Sequence, residues 1–387
     1  MPARAEPLLP AVTAVRVGGD GQKTRFIMDL SQRIEVAAFA LANPYRVVVD
    51  MPQVAFRLPD RTGEESRGLV KAFRYGLIMQ GGSRVVLDTA GPVRIEKAFV
   101  LDAEAGQPAR LVIDLAATDR ASFLRALALD SRSVRQATAK PPELAPKADN
   151  DNRPLIVLDP GHGGIDQGAR AASGELEKDV VLQFAQTLKA RLERTGKYRI
   201  AMTRTDDTFI PLTERVRFSR AHGAALFISI HADSLPKNEG QAEGATIYTL
   251  SENASDAEAA RLAEAENKAD AIAGVDLTAE PDDVANILVD LAQRETKTYS
   301  AQFARSVAGE MKATARMHKH PLKSAGFKVL TAPDVPSVLI ELGYMSTKDD
   351  LKLLTSDAWR AKTAAAVAQA VDGFFAPRLA RGSAGAN

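Results

Sequence analysis

The 387-residue chain contains no cysteine. That excludes a disulfide framework, a thiolate metal site and a cysteine nucleophile. It lacks a charge excess too: 50 Lys and Arg against 49 Asp and Glu leave +1, giving no support for gripping nucleic acid through bulk charge. No run approaches the roughly 18 consecutive apolar residues of a membrane-spanning helix. The first residues lack the basic-then-apolar order of a secretory signal peptide. Ala3-Arg4-Ala5 has the small-x-small form of a cleavage site, a form that chance also supplies in an Ala-rich chain. Histidine is scarce, with five in all, and a metal site here could be built only from His, Asp and Glu.

What is present is ordinary globular material. Hydrophobic residues at 45% and charged residues at 26% argue against wholesale disorder, and about 150 residues per domain predicts two to three domains. The first 120 residues repeat one pattern, Arg, three apolar residues, then Asp: Arg25 to Asp29, Arg46 to Asp50, Arg84 to Asp88 and Arg110 to Asp114. Short Val- and Ile-rich runs bounded by Gly18-Gly19-Asp20-Gly21, Asn43-Pro44 and Gly81-Gly82 predict buried strands with Arg and Asp at solvated ends. A small all-β, sandwich-like domain is expected over residues 10–120, with no cluster that looks catalytic. Residues 121–153 are expected to form a linker, because the stretch from Gln136 to Lys147 has Pro, Ala and charge without apolar periodicity.

From Pro154 strands alternate with helices, the sign of an α/β domain with a mixed sheet flanked by helices, expected over residues 154–376. Strands are predicted at 155–158, 198–202, 225–230, 245–250, 327–330 and 338–342, and helices at 180–192, 212–222, 254–273, 282–317 and 359–375. Residues 377–387 are expected to be a disordered tail. The first strand ends in Asp159-Pro160-Gly161-His162-Gly163-Gly164, the third in Ser229-Ile230-His231-Ala232-Asp233, the last in Ile340-Glu341-Leu342-Gly343-Tyr344. Ligands of open α/β sheets bind beyond strand carboxyl ends. Glu175 and Glu177 open the helix after the glycine turn. Two imidazoles and a carboxylate match the His₂Glu set of catalytic zinc, with a further carboxylate as general base. Taken singly, each residue has a plain structural reading: a turn histidine, a glutamate at a helix N-terminus, a salt-bridge partner. Convergence of three strand ends and one helix start is what favours a site. His222, His318 and His320 are expected on helices or near helix ends, outside any metal site.

These motifs, in order Val157 to Gly164, Glu177-Lys178-Asp179, Ser229 to Asp233 and Ile340 to Ser346, resemble the zinc-dependent N-acetylmuramoyl-L-alanine amidases of the Amidase_3 type. The resemblance spans about residues 155–375, and the front domain is similar to the AMIN module such periplasmic amidases carry. It implies Zn²⁺ held by His162, Glu177 and His231, with Glu341 as the catalytic carboxylate; Glu175 matches no ligand position. Relatives commonly show Glu-Thr-Gly-Phe where this chain has Glu341-Leu342-Gly343-Tyr344, a departure that touches pocket lining and keeps the carboxylate.

The resemblance also implies hydrolysis of the amide between N-acetylmuramic acid and the stem-peptide L-alanine, in cell-wall remodelling and daughter-cell separation, in the periplasm and at the division septum. Relatives acting in division carry a helical insertion that covers the zinc until an activator of the degenerate LytM type displaces it. The matching segment is about residues 251–294, where Glu266, with Glu264 next, is the expected blocking carboxylate, against the plain reading of both as solvated residues of an Ala-rich helix. Peptidoglycan is the expected partner, with no nucleic acid and no membrane span. Two other readings stay open: a zinc peptidase cutting within the stem peptide, and a wall-binding module with a dead active site.

Overall fold

The computed structural model describes residues 9–79, 81–104, 106–134, 151–234, 243–275 and 287–384. By its internal contacts the chain divides into two compact units, Met1–Leu144 with Ala271–Thr278, and Ala145–Asp270 with Ala279–Asn387.

The first unit is an all-β sandwich. A five-stranded sheet runs in the order β5 (Ala55–Phe56), β1 (Ala11–Gly19), β2 (Lys23–Leu30), β9 (Ala109–Ala117), β8 (Val93–Leu101). A four-stranded sheet runs β3 (Ala37–Leu41), β4 (Arg46–Pro52), β7 (Gly82–Thr89), β6 (Val70–Met79). Phe26, Met28, Val47, Val49, Val85, Leu87, Leu111 and Ile113 share the core between them, at period two along each strand. All four Arg-to-Asp runs fall in strands, and antiparallel register sets each Arg opposite an Asp: Arg25 with Asp114, Asp29 with Arg110, Arg46 with Asp88, Asp50 with Arg84. The expected solvated ends are therefore corrected in part. Asp29 and Arg46 are buried, because the cross-strand partners and backbone acceptors lie on the sheet face itself. Arg46, Arg74 and Arg84 also donate to the carbonyls of Ala271, Ile272, Ala273 and Gly274, from the later segment that clusters in this unit.

Helix α1 (Arg120–Val134) occupies the start of the expected linker. Asp119 accepts from the Ser122 N–H, and buried Phe123 meets Tyr45 edge-on, so a cap and an apolar anchor hold a helix where composition alone suggested extended chain. Residues 135–150 of the linker, like Ala3-Arg4-Ala5, lie outside the described residues.

The second unit is α/β. Its six-stranded mixed sheet runs β11 (Arg199–Met202), β10 (Leu155–Pro160), β12 (Leu226–His231), β15 (Ser337–Glu341), β13 (Ala245–Leu250), β14 (Met317–Ala325). The first four are parallel, and β13 pairs antiparallel with β15. Helix α2 (Glu177–Glu193) buries Val181, Phe184, Leu188 and Leu192, the 3.6-residue stripe, in a core it shares with α6 (Ile287–Met311) and α8 (Asp357–Ala384). Helices α3 (Leu212–Ala221), α4 (Ala257–Glu266) and α7 (Lys348–Leu354) complete the unit, and the chain passes from it to the later segment of the first unit within α5 (Ala269–Ile272).

Several expectations are corrected here. The helix expected over 254–273 breaks after Glu266, where the Asn267 side chain donates to the Gly326 carbonyl and accepts from the Lys328 N–H. The helix expected to reach 317 ends at Met311, and Met317–Ala325 instead pairs with β13, which puts His318 and His320 on a strand. The expected strand at 327–330 is a single 3-10 turn, Lys328–Leu330, closed by a bond from the Leu330 N–H to the Phe327 carbonyl. The tail expected to be disordered continues α8 to Ala384, as its Ala, Arg and Leu favour, although Pro377 removes one N–H. The middle of the expected insertion, residues 276–286, lies outside the described residues. Among them, no helix is long and apolar enough to cross a membrane.

Candidate metal centre

Parallel register brings the three strand ends to one edge. Pro160 pairs with Ile230 and His231 with Glu341, and the Gly161 N–H donates to the Ile230 carbonyl at 3.0 Å. Two buried arginines cradle the turn that follows β10. Arg204 donates to the carbonyls of Pro160 and Gly161, and Arg215 to those of Pro160 and His162. Arg215 also pairs at 2.8 Å with Asp159, which accepts in addition from Thr203 and Ser229. Burial opposes charge on Asp159, yet Arg215 and the two hydroxyls hold its pKa below the usual carboxylate range.

So clamped, His162 takes φ +57, a left-handed conformation costly for a side chain that is not glycine. Close approach needs two glycines. A Cβ on Gly161 would lie 2.4 Å from the His231 ring, and one on Gly168, at φ +64, would lie 2.6 Å from both Glu177 Oε2 and His162 Cδ2.

The result is a closed group. His162 Nε2 and His231 Nδ1 lie 3.0 Å and 3.3 Å from Glu177 Oε1, and ligand atoms of the three residues all fall within 4.8 Å of one another. Glu177 is fully buried at the first position of α2; its two oxygens accept from the N–H groups of Ala232 and Ala169. Burial works against its charge, but His162 and His231 hold its carboxyl well below its ordinary pKa. Both inward ring nitrogens are buried without a hydrogen-bond partner. Buried polar atoms are seldom left so, and two imidazole nitrogens aimed with a carboxylate oxygen at one point fit a cation. Asp166, which sequence reasoning left unassigned, lies 2.9 Å from His162 Nδ1 and orients the ring. The only sequence signal for it was an acid four residues after the histidine in a glycine-rich turn.

Glu341 stands beside this group, fully buried. One oxygen accepts from the Asp233 N–H at 3.1 Å and the other has no partner. Burial, with Glu177, Asp233 and Glu266 nearby, pushes its pKa well up. Asp233 is pushed up to about 7 by burial and then by Glu177 and Glu266.

The predicted residues do not all converge. His162, Glu177, His231 and Glu341 share the rim, and Glu266, the last residue of α4, joins them with Oε2 3.2 Å from His231 Nδ1 and 3.8 Å from His162 Nε2. Glu264 points away, exposed and paired with Lys268. Glu175 is half-buried, away from this group, and accepts from the Ser173 hydroxyl. His222 caps α3 against the Phe218 carbonyl, and His318 and His320 lie apart on β14.

A mixed α/β sheet with a buried, metal-compatible His–Glu–His group at its carboxyl rim and a protonatable carboxyl alongside defines a class, the hydrolytic enzymes that use a metal-compatible centre of this kind. The family profile described as N-acetylmuramoyl-L-alanine amidase matches residues 156–373, and that of the AMIN domain residues 14–115. The chain is 33% identical over 377 residues to N-acetylmuramoyl-L-alanine amidase AmiC of Escherichia coli O6:H1, covering 94% of this chain and 89% of the relative. AmiC of Neisseria meningitidis serogroup B is 33% identical, covering 95% and 90%. Among solved structures, amidase AmiC2 of Nostoc punctiforme matches with TM-score 0.42 and 24% identity, covering 58% of this chain and 99% of that one. The chain belongs to the N-acetylmuramoyl-L-alanine amidase family, with an AMIN domain in front of its catalytic region.

Proposed function

We propose that the chain holds one zinc ion through His162, Glu177 and His231, hydrolyses the amide between N-acetylmuramic acid and the L-alanine of the stem peptide in the periplasm, at the division septum, and is held inactive by Glu266 until an activator of the degenerate LytM type removes α4. The observation that carries the zinc reading is the pair of buried, unpartnered nitrogens His162 Nε2 and His231 Nδ1 facing Glu177 Oε1. Zinc in such a set supplies Lewis acidity toward a carbonyl and toward water. The chain's own groups do the rest. Asp166 fixes the His162 ring so that Nε2 faces the site. Glu341, held by the Asp233 N–H, would take a proton from the attacking water in its carboxylate form and pass that same proton to the departing amine nitrogen.

Glu266 supports the blocking part of the reading. Its Oε2 lies 3.2 Å from His231 Nδ1 and 3.8 Å from His162 Nε2, near enough that it would compete with water for a metal held there, and α4 carries it from an N-cap at Asp256, whose side chain accepts from the Ala259 N–H. The AMIN domain anchors the enzyme on peptidoglycan in this reading.

Digestion of purified sacculi, with fragments read by mass, tests it. Release of free peptides bearing an N-terminal L-alanine, abolished by a chelator and restored by zinc, is the expected result. Shortened stems left on muramic acid would mean a peptidase instead. Glu266→Ala is expected to hydrolyse without an activator; a variant as silent as the parent would remove the blocking role.

A further inference from the structure

Helix α4 makes a second carboxylate contact, with buried partners, at its other end. Glu258 Oε1 accepts from the Tyr344 hydroxyl at 2.9 Å, while Oε2 lies 2.8 Å from Lys323 Nζ and 3.8 Å from His318 Nε2. Asp256, the N-cap of α4, adds a contact at 3.4 Å to the same ammonium. The Lys323 side chain is 2% exposed, and among the described residues its two carboxylate partners both come from α4 and its cap. Tyr344 is buried three residues beyond Glu341, so this cluster continues from the catalytic rim. A buried ammonium is expensive unless paired. When α4 leaves, Lys323 loses both carboxylates at once and stands, with a tyrosine hydroxyl and an imidazole, open to whatever replaces the helix.

We infer that Lys323, Tyr344 and His318 form a subsite for a free carboxylate of the stem peptide, which Glu258 occupies as a stand-in while α4 is seated. The inference rests on the proposed displacement of α4 and adds a specificity role to groups outside the metal centre. Glu258 and Glu266 are eight residues apart, about 12 Å along the helix axis at 1.5 Å per residue. That length corresponds to three or four extended residues. The carboxylate recognised therefore belongs to a residue about that far beyond the scissile amide, and α4 mimics the stem at two points. Lys323 supplies charge, and Tyr344 a hydrogen bond that fixes the direction of approach.

The test uses the full chain carrying Glu258→Ala and Glu266→Ala, which removes the side-chain occupant at both points, and two soluble muramoyl peptides that differ only in whether the stem carboxylates are free or amidated. The free form is expected to be the better substrate by about tenfold in kcat/KM, mostly through KM, as a charge-assisted hydrogen bond allows. Adding Lys323→Met should erase that preference, and Lys323→Arg should keep most of it. No preference in the double variant, or one that survives Lys323→Met, overturns the subsite. If the double variant is no more active than the natural chain, the blocking reading fails while the comparison between the two peptides still decides the subsite. If it turns over neither peptide, calorimetric affinities of the same peptides for metal-stripped chains give the same ratio: a preference for the free form that Lys323→Met removes supports the subsite, and equal affinities overturn it.

Discussion

Two regions of this molecule use the same residue types to opposite ends. On the outer faces of the sandwich, Arg16 and Arg110 share Asp29 while Arg84 pairs with Asp50 and Arg74 with Asp88, the arginine side chains ranging from partly to half exposed. At the rim of the α/β sheet, Arg215 pairs with Asp159 at 3% and 0% exposure, and Glu177 is wholly buried between two imidazoles. Water and salt reach at least one partner of each pair in the first set, so each pair contributes little. Nothing screens the second. There an absent partner leaves a buried charge, and a group without a protein partner marks a place for something the chain binds.

Substitutions probe this contrast at several points. The largest effect is expected for His231→Ala, which removes one inward nitrogen from the proposed centre: zinc per chain, by elemental mass spectrometry, should fall to background and sacculus digestion should cease. Glu341→Gln should keep the metal and lose turnover by roughly a hundredfold to ten-thousandfold, the range of a positioned acid–base group. Undiminished turnover would place the proton carrier elsewhere. Arg215→Met strands Asp159 without its counter-charge and should cost about 3–5 kcal/mol in chemical denaturation. A loss under about 1 kcal/mol would mean that Thr203 and Ser229 suffice for that carboxylate. Asp166→Asn keeps the shape but weakens the partner of His162 Nδ1, and zinc affinity measured by chelator competition should fall about tenfold to a hundredfold. Arg16→Gln comes last. Asp29 keeps Arg110, so a change within about 1 kcal/mol is expected, and a loss as large as that of Arg215→Met would erase the contrast between the two regions.

Much of this was legible in the order of residues. The Arg-to-Asp runs announced β2, β4, β7 and β9, because three consecutive apolar residues rich in Val and Ile between charged ends suit a buried strand. The glycine-flanked His162 and the strand-final His231 and Glu341 announced their common rim, because parallel strands end on the same edge. Less was legible where a partner comes from far along the chain. Nothing local marks Arg215 as the counter-charge of Asp159, 56 residues earlier. The apolar residues at 327–330 suit a strand as well as the buried 3-10 turn they form. Strand β14, with Pro321 and alternating Lys and His, reads as helix end or loop until β13 offers it an edge.

The sequence alone determined most of the strands and helices and which side chains sit at their ends, since periodicity, glycine and capping are local matters of backbone sterics and apolar burial. Tertiary structure decided which of two glutamates on one helix faces the imidazoles. Glu264 and Glu266 differ by two residues and about 200° of helix rotation, and only the packing of α4 turned Glu266 to the rim and left Glu264 with Lys268 in water.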